Sequence, residues 1–177
     1  QGIPAMCWTN TGANMMPWGS TVETIGNNPI VYAMPGTKYT VVLDMALSQF
    51  SYGKIQSIES LGKPLDFYGG FDSEGELTKD PSELLKTHRV LPIGLWKGSG
   101  LSIMVDLFTS ILSSGDSTVF IDKIHPYVCQ LFIAFDISLS VEDRKAYLLE
   151  TDRIIDQLKN NGTNNKETIL YPGEGTI

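Results

Sequence analysis

The sequence predicts an α/β fold, a mixed α+β sheet with flanking helices. Strand-like apolar runs alternate with helix-like stretches along the chain, the pattern of helices laid on a sheet. Residues 99–113 repeat apolar side chains at three- and four-residue steps, which marks a helix with an apolar face. Residues 130–137 form an apolar run followed by the charged, amphipathic stretch 141–159, a strand leading into a helix.

In order, residues 3–9 read as a short strand. Asn10 to Pro29 is dense in Asn, Gly and Pro and reads as a long loop. Met15, Met16 and Trp18 give that loop buried-type residues, as in ligand or interface loops. Ile30–Met34 and Tyr39–Leu43 are predicted strands, with Pro35-Gly36 marking the turn. Asp44 stands at a strand–helix junction, before a predicted helix over 45–61 weakened by Ser51, Tyr52 and Gly53. Gly62–Pro81 reads as a polar loop and Pro81–His88 as a short helix. In the helix over 99–113, Leu101, Met104, Val105, Phe108, Ile111 and Leu112 share a face. Ile103 and Leu107 widen it, so cover on more than one side is expected. Ser140 is the expected N-cap of the helix over 141–159, Asn160-Asn161-Gly162 its stop, and Ile169–Tyr171 a last short strand.

The 177 residues, 42% of them hydrophobic, suit one domain over 1–177 with a sizeable core. The longest uncharged stretches are broken by Gly, Pro, Asn and Ser, so no membrane span is expected. A net charge of -7 argues against nucleic-acid and anionic-membrane partners. Cys7 and Cys129 are the only cysteines and are expected as free thiols of a cytoplasmic protein. The chain opens at Gln1 without a leader pattern, which suggests a fragment or a processed product. Asn161-Gly162-Thr163 reads as a chance sequon.

Chemistry concentrates in Trp96-Lys97-Gly98-Ser99-Gly100. A cation beside an indole, followed by glycines and a helix, can present N–H groups and charge to a bound phosphate. The same residues also suit a plain turn capping a core helix. Trp96 either stacks on a flat ring or fills a core gap. Asp44 either caps a helix or accepts ligand hydroxyls at a strand's carboxyl end. Neither a dinucleotide fingerprint nor a Walker pattern occurs. His88 and His125 lack second ligands at metal-binding spacing and read as surface or supporting residues. Asp72, Glu74, Glu76 and Asp80 read as a solvated acidic loop.

These residues carry a resemblance. Cys7-Trp8-Thr9-Asn10, Pro17-Trp18-Gly19, Ile25-Gly26-Asn27-Asn28-Pro29, Leu43-Asp44-Met45-Ala46, Ser48–Gly53, Gly69-Gly70-Phe71-Asp72, Leu77-Thr78-Lys79, Arg89–Gly100 and Pro172-Gly173-Glu174 keep their order along the chain. Together they resemble the malate/L-lactate dehydrogenase-type family of nicotinamide-dependent oxidoreductases. The resemblance implies a non-Rossmann NAD(P)-binding fold and a homodimer. It implies cofactor contacts at Thr40, Val41, Val42, Leu43, Asp44, Met45 and Ala46, at Trp96 and Lys97, and at Gly173, Glu174 and Gly175. Close members carry histidine in place of Glu174; others carry Pro-Gly-Glu. The implied cofactor is NAD, with NADH preferred over NADPH. The implied substrate is a 2-keto acid such as 2,3-diketo-L-gulonate, or alternatively a malate- or lactate-like 2-hydroxy acid. The family's catalytic histidine is expected in an N-terminal segment absent here, so neither His88 nor His125 inherits that role. A catalytically inactive nucleotide-binding or dimerisation fragment is the alternative of another class.

Overall fold

The computed structural model describes residues 2–121, 127–136, 144–161 and 169–175. The readings of His125, of Ser140 as N-cap and of the sequon's Gly162 and Thr163 fall outside them. The expected α/β class is observed. Strands β1 (Ala5–Thr9), β2 (Ile30–Pro35), β3 (Thr40–Met45) and β6 (Gln130–Ala134) form one sheet in the order β3-β2-β1-β6. A hairpin of β4 (Gly70–Phe71) and β5 (Leu77–Thr78) interrupts the stretch read as a polar loop. Helices α1 (Tyr52–Ser60), α2 (Pro81–Thr87), α3 (Trp96–Ser113) and α4 (Arg144–Asn161) complete the main elements.

The chain divides into two compact units. The first comprises residues 1–7, 30–44 and 132–177; the second, residues 8–29 and 45–131. In the first unit α4 packs against β2. The carboxylate of Asp152 on α4 accepts the backbone N–H groups of Thr37, Lys38 and Tyr39 at 2.9–3.0 Å. This satisfies the donors of the β2–β3 turn. Gly36 is required there because a Cβ would lie 2.3 Å from Asp152 Oδ1 and 2.7 Å from the Tyr39 carbonyl oxygen. Ile169–Tyr171, expected as a strand, is irregular.

In the second unit Phe50, Ile55, Leu65, Leu84 and Val90 form a buried cluster under α1 and α2. Helix α1 starts later than expected. Ser51 caps it, its Oγ accepting from the Lys54 N–H at 3.2 Å. Asp44 therefore caps no helix; it is an exposed residue of β3. The reason is tertiary: residues 46–51 are held in an irregular, bent path with an isolated bridge at Ser48. Leu47 N–H donates to Asn27 O, Gln49 N–H to Leu91 O, and Ile93 N–H to Leu47 O. Asp80 caps α2 and His88 ends it in the left-handed region.

Helix α3 reverses an expectation. Its buried face is Gly98, Ser99, Ser102, Val105, Asp106, Thr109 and Ser110. The predicted apolar face, Val105 excepted, is open: Leu101, Met104, Phe108, Ile111 and Leu112 are 40–68% exposed. Polar partners select the inward side. Asn28 Nδ2 donates to Ser102 Oγ, and Ser102 Oγ donates to Gly26 O. Asp106 accepts from Asn10 Nδ2, Thr118 N–H and Ser117 Oγ. A small polar stripe with its hydrogen bonds made can be buried without penalty.

Candidate functional site

In the first unit, β3 is the end strand of the sheet. Its outer edge receives the turn Tyr171–Gly175. Val42 N–H donates to Pro172 O at 3.0 Å, which fixes the turn on the strand. Gly173 and Gly175 have φ of 88° and 86°, a region that favours glycine. Gly173 also lies against β3, where a Cβ would be 3.1 Å from Val42 O. Thr40 and Asp44 are exposed, and Val41, Val42 and Leu43 are half-buried. Thr40–Asp44 and Gly173–Gly175 are thus neighbours although more than a hundred residues of chain separate them.

The turn closes on itself. Glu174 N–H donates to Tyr171 O at 3.0 Å, and Tyr171 N–H to Glu174 Oε2 at 3.1 Å. Glu174 Oε1 pairs with Lys159 of α4. Hydrogen bonding from Lys159 holds the Glu174 carboxyl below the usual carboxylate range. The Lys159 ammonium also lies 5.3 Å from the Tyr171 ring centroid. That ring meets Tyr39 edge-on at 5.2 Å, and Tyr39 Oη donates to Asp156 at 2.6 Å. Lys38 pairs with the same carboxylate at 2.8 Å. An apolar cleft of about 390 Å³ opens beside the sheet, lined among others by Tyr32, Met34, Val41, Leu43 and Phe135.

The second unit holds Met45, Ala46, Trp96 and Lys97. Helix α3 begins at Trp96, three residues before the predicted start. Gly98 is consequently inside the helix, and it serves packing. A Cβ there would fall 2.1 Å from Ile93 O, so the helix and the backbone of the preceding turn touch directly. Ser99 is buried and accepts the Trp18 N–H at 2.9 Å. The Lys97 N–H donates to Gly94 O at 3.2 Å. Of the N–H groups read from sequence as a cradle, those of Lys97 and Ser99 are spent internally, on Gly94 O and Leu95 O, while Gly98 serves packing. What remains presented is side-chain chemistry. Trp96 is 64% exposed, so it fills no core gap, and Lys97 Nζ lies 5.9 Å from its ring centroid. Leu95 precedes them at φ 59°, ψ −114°, a strained backbone for a residue with a Cβ.

Other residues resolve into structural roles. His88 is exposed, its ring 5.8 Å from that of Tyr52. Asp72 Oδ1 accepts Glu74 and Glu76 N–H groups and shapes the β4–β5 turn. Tyr52 Oη donates to Asn14 O in the long loop, and burial raises that phenol to about 12. Cys7 and Cys129 are free. Sequence reasoning missed Asp152, Asp156 and Lys159. Their spacing of four and three residues puts them on one face of α4, but such a stripe reads as a solvated face until its partners are known.

Comparison with known proteins bears on this arrangement. The chain is 43% identical over 162 residues to the 2,3-diketo-L-gulonate reductase of Haemophilus influenzae, covering 90% of this chain and 48% of that protein. It superposes on the sulfolactate dehydrogenase of Methanocaldococcus jannaschii with a TM-score of 0.84 at 28% identity, over 98% of this chain and 51% of the other. The delta1-piperideine-2-carboxylate reductase of Pseudomonas syringae pvar. tomato matches with the same score and identity, over 98% and 52%. The chain spans about half the length of the relatives it matches. The malate/L-lactate dehydrogenase family description matches residues 1–177. With this match, and with relatives alike in both sequence and fold, the chain belongs to the malate/L-lactate dehydrogenase family.

Proposed function

We propose that this chain is the cofactor-binding part of an NAD(P)H-dependent oxidoreductase that reduces a 2-keto acid such as 2,3-diketo-L-gulonate. The observation that carries the reading is the docking of the Gly173–Gly175 turn on the edge of β3. It joins two segments distant in sequence beside an apolar cleft large enough for a flat heterocycle. A bound nicotinamide would supply hydride exchange with the substrate carbon. The chain's own part is to hold and orient it. Val41 and Leu43 offer apolar surface, Thr40 and Asp44 exposed polar groups, and the turn its backbone. Asp44 would accept ribose hydroxyls and repel a 2′-phosphate, which favours NADH over NADPH. The second unit, taken by itself, offers candidate contacts of its own: Lys97 as a charge for a phosphate and Trp96 as a ring face, with Met45 and Ala46 as further candidates. A malate- or lactate-like 2-hydroxy acid is the second substrate reading, favoured by the family description.

We further infer a homodimer, supported by the open apolar stripe of α3, since exposed apolar surface of this extent favours association. A cytoplasmic setting fits the two free thiols. The test is titration of the protein with NADH and NADPH by fluorescence. Loss of the Lys97 charge in Lys97→Ala should cost about 1.5–3 kcal/mol, roughly a ten- to hundredfold rise in Kd. Equal affinity of the variant and the parent would remove Lys97 from the site, and equal affinity for the two nucleotides would remove the role given to Asp44.

A further inference from the structure

We propose that Lys159 is a positioning residue for the cofactor turn: by pairing with Glu174 it locks Gly173–Gly175 against the outer edge of β3. The proposal rests on the cofactor reading of that edge. Four observations carry it. Both carboxylate oxygens of Glu174 are engaged inside the protein, one by Lys159 and the other by the Tyr171 N–H. The pair is three-quarters buried, at 22% and 25% side-chain exposure, so it is less screened than a surface pair. Lys159 stands on α4, the helix whose Asp152 also holds the β2–β3 turn. Its ammonium further lies over Tyr171, which packs on Tyr39. Helix, strand-end turn and cofactor turn are therefore tied through one cation. Glu174 consequently acts through the shape of the turn, with its carboxylate turned to Lys159 instead of to a ligand.

Amide hydrogen exchange at Val42 reads the lock directly, because that N–H donates to Pro172 O. Lys159→Met and Glu174→Gln should each speed exchange at Val42 about fivefold, Lys159→Arg should restore protection, and the double variant should be no worse than either single one. NADH Kd should rise about fivefold in the same two variants while the Arg variant stays near the parent. Unchanged Val42 exchange, or additive effects in the double variant, would overturn the proposal. If Lys159→Met does not fold, Glu174→Gln alone decides: unchanged Val42 exchange in that variant overturns the lock. A parent protein that binds no NADH defeats the cofactor reading alone, since Val42 exchange still reports on Lys159.

Discussion

At the scale of single residues, two glycines of α3 have opposite meanings. Gly98 touches the Ile93 backbone, where a Cβ would fall 2.1 Å from a carbonyl oxygen, whereas nothing lies within 4 Å of a Cβ built at Gly100. Gly98→Ala should therefore destabilise the protein by about 3 kcal/mol through overpacking. Gly100→Ala should stabilise it by roughly 0.5–1 kcal/mol through helix propensity. Urea denaturation of both variants checks the contrast; equal midpoints would refute it. Both positions looked alike in the sequence, because only the path of the chain before α3 tells them apart. Glu174 gives a pH prediction. Its carboxyl is held low by hydrogen bonding from Lys159, opposed by partial burial and aided by the Tyr171 N–H, with Asp156 as the neighbouring acid that also feels Lys159. A group lowered in the folded state stabilises above its unfolded value and loses that contribution as pH falls through the folded one. Val42 protection should thus hold through the ordinary carboxylate range and fail only below it. Failure beginning near neutral pH would point to another group.

At the scale of elements, α3 carries the main discrepancy between pattern and structure. The three- and four-residue apolar spacing is real, and the helix is there. The side that turns inward, however, is the stripe of Ser102, Asp106 and Thr109, which finds donors and acceptors in the second unit. Ile111→Gln and Leu112→Gln, on the open side, should shift the stability of the dissociated monomer by no more than about 0.5 kcal/mol and reduce apolar-dye binding. Ser102→Ala should cost about 1–3 kcal/mol, because it strands the carbonyl of Gly26. A large loss from either Gln change in the monomer would refute the reading of this face as open within one chain, whereas a loss confined to the oligomer is what the proposed dimer predicts. Helix α1 shows a related effect: good helix formers at 46–50 stay out of the helix, since the backbone of Leu47 and Gln49 pairs with Asn27, Leu91 and Ile93.

At the scale of the whole molecule, the family match runs from end to end while the chain spans about half of its relatives. The proposed homodimer is checked by light scattering over a dilution series. Its mass should fall on dilution or stay at twice the chain mass, and the Ile111→Gln/Leu112→Gln double variant should shift it toward the monomer. A monomer at micromolar concentration that binds no apolar dye would defeat the inference.

The sequence by itself determined the α/β class, the strands β1 to β3, helices α2 and α3, and the membership carried by short ordered motifs from Cys7-Trp8 to Pro172-Gly173-Glu174. These are local properties: periodicity, turn residues and residue identity survive without knowledge of neighbours. Only the tertiary structure decided which face of α3 is buried, that Asp44 caps nothing, and that Glu174 answers to Lys159. Each of these depends on a hydrogen-bond or ion-pair partner far along the chain. A polar group can be buried or turned outward according to whether that partner is present, and the spacing of residues in sequence does not say where the partner will be.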